Sequence, residues 1–184
     1  MIEDLEKIIF ALKYWDLTLE DQTKVRNFQA RLTIQKLTHI CQVLGVEMKS
    51  YHFSLYKNGP YSPTLTNDYY NNPSLMNKLI TDYKPSKIEL EVFDQVKEVV
   101  LAHALNTEHQ ADFLEAISTV LYFKKYNHKL LDDDLFEKTI DEKPHLSDKI
   151  ITMVINLAKK LQFKPEFLTE EIQNELDLWD RAED

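Results

Sequence analysis

Only two of the 184 residues are glycine, Gly45 and Gly59, whereas an average protein carries about 7%. A chain with so few residues at ease with positive φ lacks material for the many tight turns of a strand-rich sandwich. With only six prolines as well, the composition favours helices joined by short polar connections. The length is ample for a hydrophobic core within one domain. The expected fold class is therefore mainly α: a compact multi-helix domain over 1–184 with a short β element around 51–56.

Periodicity fills in the helices. Ile2, Leu5, Ile8, Ile9, Leu12 and Trp15 recur at steps of three and four, as one face of a helix does. After a polar connection over 18–23, Val25, Phe28, Leu32, Leu37, Ile40, Cys41 and Leu44 mark a second helical face, closed by Gly45 as a left-handed C-cap. Further on, Ser62 with Pro63 reads as an N-cap and first helical residue. Short helices are expected to about Tyr70 and over 74–82. Ser86 with Glu89 and Thr107 with Gln110 fit capping boxes, opening helices whose Ile88, Val92, Phe93, Val96, Val99 and Val100, then Phe113, Leu114, Ile117, Val120 and Leu121, should reach the core. Asp132, Asp133 and Asp134 read as carboxylates favouring a helix N-terminus rather than as a metal or acid/base site. Ser147 caps a strongly periodic helix through Leu161, and a terminal helix over 169–179 forms an appendage over 165–184. The connection 83–86 is the best candidate hinge between an N-terminal and a C-terminal unit.

The remaining glycine lies in "SLYKNGPYSPTL", residues 54–65. Tyr51, Phe53 and Leu55 alternate with His52, Ser54 and Tyr56, the period-two pattern of a short half-buried strand with no obvious partner. Asn58, Gly59 and Pro60 then read as an abrupt reversal from strand to helix, with Gly59 at positive φ. Five of the nine tyrosines, Tyr51, Tyr56, Tyr61, Tyr69 and Tyr70, fall in this region. Tyrosine offers a rigid contact surface with a polar tip. Tyr51 reads as a core residue, while for Tyr56 and Tyr61 surface recognition and packing are both open.

Charge narrows the partners. Residues 1–92 hold 11 acidic and 11 basic side chains, but residues 93–184 hold 20 acidic and 11 basic, so all of the formal charge of −9 lies in the second half. That half repels phosphate backbones and could steer a protein partner with a basic surface. The single cysteine, Cys41, excludes an internal disulfide and fits a reducing compartment. The opening residues lack a signal-peptide pattern, and no stretch reaches the roughly 20 apolar residues of a membrane span. A soluble, cytoplasmic protein is expected.

Catalytic motifs are missing. The six histidines include no HExxH and no pair at i, i+4, no serine sits in a GxSxG elbow, and no glycine-rich loop is present to cradle phosphate. Cys41 on the apolar face of its helix reads as an inert thiol, and His39 as a partly buried structural residue. No cofactor and no metal are expected, and the chain reads as a non-enzymatic protein.

"RLTIQKLTHICQVLG" followed by "YHFSLYKNGPYSPTLTNDYY" resembles the YwgA-like family, in which an Arg-Thr/Leu-Gln-Lys helix and a short aromatic strand precede a Tyr-x-x-Gly-Pro-Tyr-Ser turn and a helix with a later Asp. The matching positions are Arg31, Gln35, Lys36, Tyr56, Gly59, Pro60, Tyr61, Ser62, Leu65 and Asp68. "LEAISTVLYFKKY" and "EKPHLSDKIITMVINLAKKL", with Lys143 and Pro144, are similar to the family's last helices. A more distant similarity joins this family to the SocA-like, or Panacea, antitoxin domain. The resemblance implies a mostly helical prokaryotic protein that binds another protein, in the extreme case a toxin it neutralises. On this reading Arg31, Gln35, Lys36, Tyr56, Gly59, Pro60, Tyr61, Ser62 and Asp68 form the partner-binding surface. The alternative is a winged-helix-like nucleic-acid binder, using the 25–44 helix for the groove, the 56–62 turn as a wing and Lys24, Arg26, Arg31 and Lys36 as a modest basic patch.

Overall fold

A computed structural model of the protein describes residues 2–17 and 28–162. Val25, Lys24 and Arg26, the connection 18–23, and the terminal helix and appendage expected over 165–184 lie outside the described residues. Within them the chain is mainly helical with one two-stranded antiparallel sheet.

Helix α1 (Ile2–Tyr14) buries Leu5, Ile8, Ile9 and Leu12, and Trp15 just beyond it anchors the turn by donating its indole N–H to the Phe93 carbonyl at 2.8 Å. Helix α2 (Phe28–Val43) ends as its sequence predicts. Gly45 sits at φ +117, its N–H donates to Gln42 O, and the Val46 N–H reaches back to Cys41 O. That pair of bonds is the Schellman arrangement, which satisfies carbonyls the helix end leaves open.

The strand is shorter than its pattern, and its partner is the segment read as the reversal. Strand β1 (Ser54–Tyr56) pairs antiparallel with β2 (Gly59–Tyr61), in the register Ser54 with Tyr61, Leu55 with Pro60 and Tyr56 with Gly59. The reversal therefore falls at Lys57 and Asn58, and Gly59 and Pro60 belong to a hairpin strand rather than to a strand-to-helix corner. Neither Lys57 nor Asn58 has positive φ, whereas Gly59 sits at +80. A left-handed glycine closing a short loop is a recurrent way to return a hairpin. Alternation still holds over the whole segment: Tyr51, Phe53 and Leu55 point inward, and His52, Ser54 and Tyr56 outward.

Ser62 then caps α3 (Pro63–Asn71), its hydroxyl accepting the Leu65 N–H, with Pro63 at the first turn. Helix α4 (Pro73–Lys78) stops earlier than its pattern suggests, at Leu79 in the left-handed region (φ 47). The Ser86 capping box opens α5 (Lys87–Gln95), which runs through a π-helical stretch (Val96–Leu101) into α6 (Ala102–Leu105). Two expectations fail here. Ile88 is exposed, because it falls on the solvent side of α5, whose inward side carries Glu89, Val92 and Phe93. Thr107 makes no capping box: its hydroxyl accepts the His109 N–H in a local turn, and α7 (Gln110–Tyr126) begins three residues later.

Helix α7 is the axis of the fold. An unbroken run of nine buried residues, Phe113 to Leu121, meets α2 and β2 on one side and α6, α8 and α9 on the others, so no face of it is left for solvent. Helix α8 (Asp132–Glu142) opens with Asp134 accepting the Leu131 N–H, the carboxylate capping that the acidic triplet implies, and Asp132 pairs with Lys159. Ser147 caps α9 (Asp148–Gln162). Residues 83–86 are tied to α1 and α5: Glu89 accepts from Tyr83, Ser86 N–H and Lys7, and Tyr83 packs against Phe10.

Candidate functional site

Hairpin β1–β2 lies against α2 and α7, with no third strand beside it among the described residues. Its backbone carbonyls need donors from somewhere, since buried polar groups left unpaired are costly. Mid-helix backbone cannot supply them. Long side chains do. Gln35 treats Ser62 as a strand neighbour would, donating to its carbonyl at 3.0 Å and accepting its N–H at 2.9 Å. Lys36 donates to Pro60 O at 2.7 Å. From the far side, Lys143 at the end of α8 donates to the Tyr56 and Lys57 carbonyls at 2.5 and 2.7 Å.

Glu115 on α7 stands between the two lysines. Its carboxylate lies 3.8 Å from the Lys143 ammonium and 3.4 Å from the His145 ring. Lys36, Glu115 and Lys143 are each only 2% exposed. Burial, only partly offset by Glu115 and reinforced by Lys143, lowers the Lys36 amine to about 7. The Lys143 amine is lowered as well, again chiefly by burial. Gly59 makes this cluster possible. A Cβ there would stand 3.0 Å from Thr119 Oγ1, 3.3 Å from Glu115 Cγ and 3.4 Å from Lys36 Nζ, so glycine is required both by its φ and by the approach of α7.

On the solvent side of this clamp a cleft of about 320 Å3 opens between α2, the hairpin tip and α3. Arg31, Gln35, Lys36, Tyr56, Gly59 and Tyr61, all singled out from sequence, line it, joined by Phe28, Leu32, Lys57, Asn58, Thr66 and Tyr69. Tyr56 and Tyr61 share the outward face of the hairpin as a diagonal pair and meet edge to face at 5.3 Å. Tyr56 is 52% exposed. Thr66 forms the floor, donating to the Tyr61 hydroxyl and accepting from Gln35 and Tyr69. Arg31 reaches the Tyr70 hydroxyl at 2.6 Å.

The remaining predicted residues do other work. Pro60 and Ser62 are buried and hold the hairpin through their backbone, and Asp68 is buried, accepting from Tyr51 at 3.0 Å. Glu115, Thr119, Lys143 and Tyr70 complete the site without having been identified as site residues from sequence. A glutamate inside the apolar run of α7 and a lysine directly before Pro144 were the available signals.

Among the described residues a nucleophile and a base meet at one place. Ser118 Oγ lies 2.9 Å from His39 Nδ1. Both are buried, and neither lines the cleft; burial first, then Lys125 and Lys36, lowers His39 to about 3, so its ring is neutral core material. Burial likewise pushes the Cys41 thiol up, which makes it inert. Among the described residues no three His, Cys, Asp or Glu side chains are grouped to hold a metal ion, and no helix is long and apolar enough to cross a membrane. Comparison with protein-family models, with curated proteins and with solved structures finds no match for the chain.

Proposed function

We propose that the chain is a non-enzymatic, cytoplasmic interaction module that receives a segment of a partner protein in the cleft beside the tyrosine hairpin. The observation that carries this reading is the way Tyr56 and Tyr61 are presented. Two aromatic side chains, packed edge to face and partly open to solvent, stand on backbone held from below by Gln35, Lys36 and Lys143. A rigid tyrosine loses little freedom on binding, and tyrosine and arginine dominate the energetically decisive residues of interfaces. The cleft volume lies within the range of pockets that enclose a ligand or an anchoring side chain. A partner gripped there would bury Tyr56, while the acidic second half of the chain steers its approach. The resemblance of the sequence to the YwgA-like family, itself distantly similar to antitoxin domains, makes a toxin encoded nearby the first specific partner to try.

Tyr56→Ala tests the reading with little risk to the fold, because half of the ring is in solvent. Affinity capture from the native host, with nuclease-treated lysate, should recover a protein with the wild type and lose it with Tyr56→Ala. Recovery that disappears on nuclease treatment would replace this reading with nucleic-acid binding. Equal recovery by both proteins would move the interface away from the hairpin.

A further inference from the structure

The cleft has a charge pattern opposite to that of the chain. Three of its lining residues are basic, Arg31, Lys36 and Lys57, and none is acidic, in a protein of formal charge −9. Lys36 is committed to Pro60 O and faces Glu115, so the outward charge comes from Arg31 and Lys57. Lys57 is exposed at the hairpin tip. Arg31 donates to the Tyr70 hydroxyl, and among the described residues no carboxylate pairs with it and its buried Nε has no hydrogen-bond partner. A guanidinium has five N–H donors in a planar fork matched to a carboxylate.

Resting on the docking reading above, we infer that the cleft selects a polypeptide segment whose anchoring residue is Asp or Glu flanked by apolar side chains. The carboxylate meets the Arg31 fork, with Lys57 closing over it, and the flanking apolar groups lie on Tyr56, Tyr61 and Phe28. The geometry supplies both halves of that recognition. Arginine on one wall gives the charge-assisted, directional contact, and the aromatic face gives area without further charge. A basic segment would instead bring a second cation to Arg31 in a partly desolvated site, where like charges are excluded. The acidic second half of the chain and the basic cleft therefore act on different parts of a partner: one on its approach, the other on the residue that is gripped.

A random peptide library displayed on phage, selected against the immobilised full chain, tests this without knowledge of the partner. The expected result is enrichment of Asp or Glu at one position beside Leu, Phe or Tyr. The best synthetic peptide should lose at least tenfold in affinity when its acid is changed to the amide, and at least tenfold against Arg31→Met. Because Arg31→Met also releases Tyr70, Lys57→Met serves as the second variant; its side chain is exposed, and it should weaken binding several-fold and flatten the salt dependence. Neutral or basic selected peptides that still require Tyr56 would overturn the charge rule and leave the docking reading standing. Failure to enrich any peptide would count against both. Affinities unchanged by the amide replacement or by both variants would overturn the inference, as would displacement of the peptide by free propionate at equal concentration, since a bare carboxylate would then suffice.

Discussion

Lys36 makes the stability of this protein depend on pH in an unusual direction. In the unfolded chain its amine has the ordinary value of 10.5, whereas in the fold burial lowers it to about 7. Between those values the unfolded chain holds a proton that the folded chain has released, so stability rises with pH there, by up to roughly 1.4 kcal/mol per unit for one group. Below about 7 both states are protonated, and the full cost of burying the ammonium is present. Lys143, also lowered by burial, acts in the same sense. Cys41 acts oppositely: its buried thiol keeps its proton while an unfolded thiol, at 9.0, begins to lose it. The clean window is therefore about pH 7 to 8.5, and the expected gain there is on the order of 2 kcal/mol.

Urea unfolding followed by circular dichroism at half-unit steps would measure it, with Lys36→Met as the control. Methionine keeps the length of the stem and removes the titrating group. Its absolute stability is not the readout, since the Pro60 carbonyl loses its donor. The slope is. Wild type should gain stability across the window and Lys36→Met should gain distinctly less. Identical pH profiles for the two proteins would refute the assignment of a lowered amine to Lys36.

Gly59→Ala should destabilise by more than Gly45→Ala, both by urea denaturation. Each incurs about 1–2 kcal/mol for a left-handed non-glycine residue, but only at Gly59 does the new Cβ meet Thr119, Glu115 and Lys36, whereas at Gly45 it meets open space. Equal losses would mean that α7 can yield. Tyr51→Phe removes a buried donor to Asp68 and should cost about 1–3 kcal/mol; a loss below about 0.5 kcal/mol would indicate that Asp68 finds another donor.

Much of this architecture is legible from local chemistry. The Schellman end of α2, the Ser62 and Ser86 caps and the Asp134 cap each depend on residues within a few positions of one another, which is why pattern alone finds them. Thr107 shows the limit of the same rule. Its hydroxyl satisfied a nearer N–H first, at His109, and the box did not close. The hairpin departs from its pattern for a different reason: Gly-Pro commonly marks a corner, and a strand that carries proline is tolerated only at an edge, which β2 is, because the sheet has two strands among the described residues. The cluster beneath it was illegible in principle. Lys36, Glu115 and Lys143 are far apart in sequence, and only the packing of α2, α7 and α8 brings them together.

The association of Gln35 and Lys36 with Gly59, Pro60, Tyr61 and Ser62 has a physical cause apart from any partner. A hairpin set against helices must find donors for carbonyls that a wider sheet would satisfy, and the side chains long enough to reach from a helix axis are Gln, Lys and Arg. Charge is an expensive way to do so, since a buried ammonium without full compensation carries a desolvation penalty. Glu115 offsets part of that penalty for two lysines at once. The donor role, however, does not need the charge: a neutral amine still carries N–H groups, so deprotonation of Lys36 relieves its burial without releasing Pro60. The hairpin and the cleft beside it should thus keep their shape across the window in which stability rises. Partner affinity over pH 7 to 8.5 should stay level while stability climbs, because the hydrogen bond that holds the Pro60 carbonyl survives the loss of the Lys36 charge. Loss of binding in step with Lys36 deprotonation would mean that its charge, and not only its hydrogen bond, belongs to the recognition surface.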